Sequence, residues 1–213
     1  MGYIKGRNVR VEVAATFATA KSVTAITNAA TGVATSSAHG LADGVAGYLS
    51  GVTSMPQLEG QAVRINAPAT NTFELETLDT TSMGTFSGTC NFVPVATWLT
   101  LAPSTSINIG GGDADQLSTT VLLDNIKQQE NGMLASQTIS IDLRAEDAQS
   151  AAMRQIRNAA LAGGFVLLRV TYPNGSKRLA RGEPSLPGEQ VQTSQVGTSS
   201  VNLTVKGQVL FLD

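Results

Sequence analysis

The stretch RVTYPNGSKRLARG, residues 169–182, closes compactly in one way, as a β-hairpin. Val166, Leu168 and Val170 alternate with Leu167, Arg169 and Thr171, the period of two expected of a strand with one buried face. Pro173 supplies a fixed φ, and Asn174 and Gly175 tolerate left-handed conformations, so the chain reverses there. Residues 176–181 return, with Lys177 and Arg181 set against smaller side chains. The same period recurs at Val9, Val11 and Val13, at Ile139, Ile141 and Leu143, and at Val201, Leu203 and Val205. One segment breaks it: Ala148, Ala152, Ile156 and Ala159 fall at helical spacing, Glu146 and Asp147 open the turn, and Gly163-Gly164 stops it. The expectation is a mainly β protein whose single helix, over about residues 146–162, covers one sheet face.

Composition agrees with that reading. Aromatic residues make up 5% of the 213, while Gly, Ala, Ser, Thr and Val abound, which favours short strands and turns over helical packing. The texture changes near residue 22 and again near residue 96. Between them, Gly, Asn and Pro cut short β signals at the spacing of a small barrel or sandwich, so residues 23–95 read as an insert. Arg64 is its only cation against Asp43, Glu59, Glu74, Glu76 and Asp79, a net of −4 within a chain whose total is −2. Residues 1–22 and 96–213 then form one discontinuous unit. Within it, residues 103–136 mix Gly110-Gly111-Gly112, an apolar burst at Val121, Leu122 and Leu123, and a polar run, which predicts a long, partly flexible loop with extended arms.

Catalytic vocabulary is thin. His39, the only histidine, sits in SSAHGLADG without a nucleophile motif, and reads as a turn residue. The glycine triplet lacks the Lys and Ser or Thr of a phosphate loop, and Asp113 with Asp115 lacks the downstream glycine and glutamate of a calcium loop. Cys90 stands alone, so it forms no disulfide within the chain and reads as a small buried hydrophobe. Lys177, Arg178 and Arg181 form a basic cluster with no aromatic residues interleaved to stack bases. The start, MGYIKGRNVRVEV, passes directly into a strand pattern with no secretion signal, and no apolar run approaches the roughly 20 residues of a membrane span. No cofactor and no enzymatic activity are expected.

The order strand, acid-led helix, Gly-Gly, strand, YPNG turn, strand bearing RG and two closing strands, residues 138–209, resembles the major tail tube proteins of long-tailed bacteriophages. That resemblance implies a sandwich or barrel-like β domain with one packed helix. Six copies would join their sheets into a ring, and rings would stack into a conduit for DNA ejection. Strand edges that are hazards in a monomer would find partners in a closed ring. Partners implied are further copies of the chain, a tape measure protein and a tail terminator; DNA would pass without specific binding, and no membrane is involved. The location implied is the virion tail, assembled in the bacterial host cytoplasm.

In that frame Val121, Leu122, Leu123 and Ile126 are expected to form an assembly loop against the next ring. An acidic bore avoids holding a sliding polyanion, and Asp124, Glu130 and Asp142 are the expected lumen acids. Residues 23–95, from GVATSSAHGLADG to NTFELETLDTTSMGTFSGT, are similar to the small β module named after the first catalytic cysteine half-domain of ubiquitin-activating enzymes. Such a module would decorate the tube's outside, without those enzymes' chemistry. Competing readings are a tail terminator, baseplate-hub or secretion-tube subunit of the same fold, and a carbohydrate-binding module, which the scarcity of aromatics disfavours.

Overall fold

A computed structural model describes residues 6–121, 125–145 and 150–213. Its strands are β1 (Arg10–Phe17), β2 (Lys21–Val23), β3 (Ala25–Ile26), β4 (Val33–Thr35), β5 (Ala46–Ser50), β6 (Ala62–Asn66), β7 (Thr72–Leu75), β8 (Cys90–Thr100) and β9 (Ser104–Gly111). They continue as β10 (Ala114–Ser118), β11 (Gln129–Leu134), β12 (Gln137–Arg144), β13 (Val166–Thr171), β14 (Lys177–Pro184), β15 (Gly188–Gln190), β16 (Thr198–Val205) and β17 (Leu210–Leu212). One helix, α1 (Ala151–Leu161), precedes β13. The protein is mainly β with a single α-helix among the described residues, as the sequence predicts.

Strand pairing runs β3-β4-β7-β6-β5-β8-β1-β13-β14-β16-β12-β9, with β15 on β16, β17 on β14 and β2 on β8. β8 is the joint: its first half pairs with β2 and β5, its second with β1. The hairpin of β13 and β14 pairs Thr171 with Lys177, and Gly175 holds a φ of +92° in the turn. Asn174 Oδ1 there accepts from the Ser176 amide and hydroxyl.

The sequence marks one buried face on β13; the structure buries both. Val166, Leu168 and Val170 enter one core with Val11, Val13, Ile139, Ile141, Leu143, Val201 and Leu203, capped by Ala152 and Ile156 of α1. Leu167, from the opposite face, joins Leu179, Leu210 and Leu212 in a second core with Leu49, Phe73, Phe92 and other residues between 23 and 92. A continuous apolar run is the signature of a strand covered on both sides.

The second face also carries a polar seam. Glu12 is buried and accepts two contacts from Arg169, Nε at 2.8 Å and Nη2 at 2.7 Å, while Arg10 Nε stands 3.0 Å from its other oxygen. Pairing of this kind is what allows a carboxylate to be removed from water. Arg169 also lies 4.2 Å over the Trp98 ring. Beside it the Arg181 guanidinium lies 3.6 Å over Phe165 and 5.2 Å from Tyr48, and desolvation pushes its pKa down. Sequence reading gave the basic cluster no aromatic neighbours; Tyr48, Phe165 and Phe211 reach it from distant positions, Phe211 stacking on Arg178 at 4.4 Å.

Helix α1 starts later than the periodicity suggests. Ser150 is its cap, its hydroxyl accepting from the Met153 amide, and Glu146 and Asp147, expected in the first turn, lie outside the described residues. Its end matches expectation: Gly164 N donates to Ala159 O, and Gly163 adopts a φ of +61°.

Gly47 lies flat against β8. A Cβ there would stand 2.4 Å from the Val93 carbonyl and 2.7 Å from the Phe92 ring. We expect Gly47→Ala to destabilise the fold by about 1–3 kcal/mol through overpacking, read as a lowered midpoint in denaturant unfolding.

Candidate assembly site

Residues 103–136, expected as a long, partly flexible loop with extended arms, are largely strand. β9 pairs along its whole length with β12, Ile107 and Ile109 opposing Ile141 and Ile139 over the core. Its other edge pairs with no strand among the described residues. Beyond β9 the chain turns into β10 and β11, a separate two-stranded sheet. The glycine triplet explains that turn: Gly111 and Gly112 both hold a φ of +86°, where L-residues are strained, and a Cβ on Gly111 would stand 2.9 Å from Ser136 O. The glycines thus set a fixed bend where the sequence reading saw loop freedom.

The β10–β11 pair forms an arm. Ala114 opposes Leu134 and Ser118 opposes Gln129; Ala135 N donates to Asp113 O at the root, and Thr119 N to Gln128 O below the tip. Leu117, Val121, Ile126, Met133 and Leu134 are all exposed on it, Met133 at 82% and Ile126 at 79%. Five large apolar side chains exposed on one thin element make the arm a candidate association surface. Of the expected assembly residues, Val121 and Ile126 sit at this tip, while Leu122 and Leu123 lie outside the described residues.

The expected lumen acids fall in different places. Asp142, exposed on β12, accepts from Ser106 Oγ at 2.6 Å, and its backbone carbonyl accepts from Thr105. Around it the outward side of β9, β12 and β16 presents Asn108, Thr138, Ser140, Ser200, Asn202 and Thr204, paired in register. Glu130 is exposed on the arm opposite Leu117, and Asp124 lies outside the described residues. Asp142 and Glu130 thus stand on different elements. Sequence reasoning missed the row of hydroxyls and amides, although its signal, polar residues at every second position of three strands, was present.

Two candidate groups are absorbed into the core. His39 is buried: Nδ1 accepts from the Leu41 amide at 3.0 Å and Nε2 faces Thr72 O at 3.2 Å, so the ring donates through Nε2 as a neutral imidazole. Cys90 is buried, and desolvation, aided by Glu59, pushes its thiol up to about 11.

The sequence pattern described as "Phage tail tube protein, TTP" matches residues 53–213. The chain belongs to this family. It is a structural component of a phage tail, a tail tube subunit. Among solved structures, a chain described as "Tail of empty GTA particle computed with helical refinement, C6 symmetry" aligns at 16% identity with a TM-score of 0.44. The alignment covers 55% of this chain and 87% of that one. No curated protein matches. Among the described residues no helix is long and apolar enough to cross a membrane.

For Cys90 the raised pKa leaves the thiolate, the reactive form, scarce at mildly alkaline pH. Ellman's reagent at pH 8 is expected to leave the native protein unlabelled and to titrate one thiol per chain after denaturation.

Proposed function

We propose that six copies of this subunit close into a ring and that rings stack into the tube through which DNA leaves the particle. The family match over residues 53–213 carries this reading. Two features of the chain support it. The eight-residue outer edge of β9, which pairs with no strand among the described residues, offers backbone groups to a neighbouring sheet, and an edge of that length is a liability unless assembly covers it. The Ser, Thr and Asn row around Asp142 offers DNA a surface with hydrogen-bonding groups and little positive charge, suited to a lumen that must not grip a polyanion.

In this reading Val121, Leu122, Leu123 and Ile126 meet the next ring, and Asp124, Glu130 and Asp142 supply the bore's negative charge. Residues 1–22 and 96–213 form the tube unit. Residues 23–95 form a decoration resembling the small β module of ubiquitin-activating enzymes, a division supported by the mutual pairing of β4, β5, β6 and β7. A tape measure protein inside the tube and a terminator at its end are the further partners, and assembly takes place in the host cytoplasm. A terminator of the same fold is the second reading; it would stop at one ring.

Negative-stain microscopy of the purified chain separates these readings. Long hollow tubes are expected; single rings would favour the terminator, and monomers at high concentration would sink both. Asp142→Lys, an exposed change, is expected to leave tube assembly intact and to slow DNA release from assembled particles, measured by dye uptake on triggered ejection.

A further inference from the structure

Four leucines, Leu167, Leu179, Leu210 and Leu212, lie on one face of β13, β14 and β17, and none is more than 2% exposed. The segment laid over them keeps them dry: they share one core with Leu49, Leu58, Ala62 and Val63. A pendant domain meets its host through a more polar surface, resembling a transient interface between proteins. Here the contact is core.

Polar groups fix how the segment sits. The Gln61 side chain, buried, pairs in both directions with the backbone of Gln208: Nε2 donates to Gln208 O at 3.0 Å, and Oε1 accepts from Gln208 N at 2.9 Å. Nε2 also donates to Ala62 O at 2.9 Å, so the buried amide is satisfied at both ends. The approach is close, since a Cβ on Gly207 would collide with Gln61 Oε1. Likewise a Cβ on Gly60 would collide with Arg181 Nη1. Tyr48 stands beside Phe17 and Phe165, edge-on to each, with ring centroids 5.4 and 5.0 Å away. Residues 48, 60 and 61 are thereby tied to residues 17, 165, 181, 207 and 208.

We infer that residues 23–95 are half of a single folding unit, positioned on the sheet by Gln61 and Arg181, and that the sheet does not hold its fold without them. The inference goes beyond the tube reading and is independent of it, because no second copy enters these contacts. Without the segment, four leucines would meet water on one face and the amide and carbonyl of Gln208 would lose their partner. An outer decoration so attached is a rigid part of the subunit wall.

Hydrogen exchange of the full-length chain, read by mass spectrometry across a urea series at a concentration below assembly, tests this. Peptides covering β5, β6 and β7 and peptides covering β12, β13 and β16 are expected to open together, with one midpoint. Residues 23–95 opening at lower urea, while the sheet stays protected, would overturn the inference. Gln61→Ala and Gly207→Ala are each expected to lower the midpoint of both sets of peptides equally. A loss confined to β5, β6 and β7 would also overturn it. If either variant fails to fold, the wild-type midpoints decide. Because exchange is read on the unassembled chain, failure to form tubes leaves this result untouched.

Discussion

Leu167 and Leu168 are adjacent in the chain and belong to different cores. The rest of the architecture depends on that alternation. A strand sends successive side chains to opposite faces, so β13 can bury both only if matter lies on each side. On one side α1 and the closing strands supply it; on the other, the part of the chain between β2 and β8 does. A one-residue slip of β13 against β1 would exchange the two sets and place Arg169 in the apolar core, away from Glu12. Register, ion pair and the joining of the two cores are therefore one constraint.

Most of the central sheet is visible in the sequence because the rule of two is strong where one face is apolar and the other wet. Val11 and Val13, Ile139 to Leu143, and Val201 to Val205 all lie where the alternation puts them. The rule fails where burial is two-sided, as on β13, and where a strand holds few β-branched residues. β9 is written STSINIGG, poor in strand formers, and only Ile107 and Ile109 betray it. Glu12 alternates with Val11 and Val13, and the partner that makes its burial possible, Arg169, is 157 positions away. The Arg181 cage escapes local reading for the same reason.

The candidate assembly surface is legible to a different degree. The apolar burst in a polar run singles out the segment, and Val121 and Ile126 stand exposed at the arm's tip. The arm's wider character, with Leu117, Met133 and Leu134 flanking that tip, emerges only when β10 and β11 are paired. Nothing in a linear reading reports which end of a strand a turn occupies. The polarity of the subunit, arm at one end of β12 and the 191–197 turn at the other, is a product of register.

The root of the arm rests on very little material. Its direction is stored in the backbone torsions of Gly111 and Gly112 and is not braced by a bulky side chain. A side chain at either position would be strained there, and a Cβ on Gly111 would also crowd Ser136 O. In a tube built from many copies the same change would recur in every subunit.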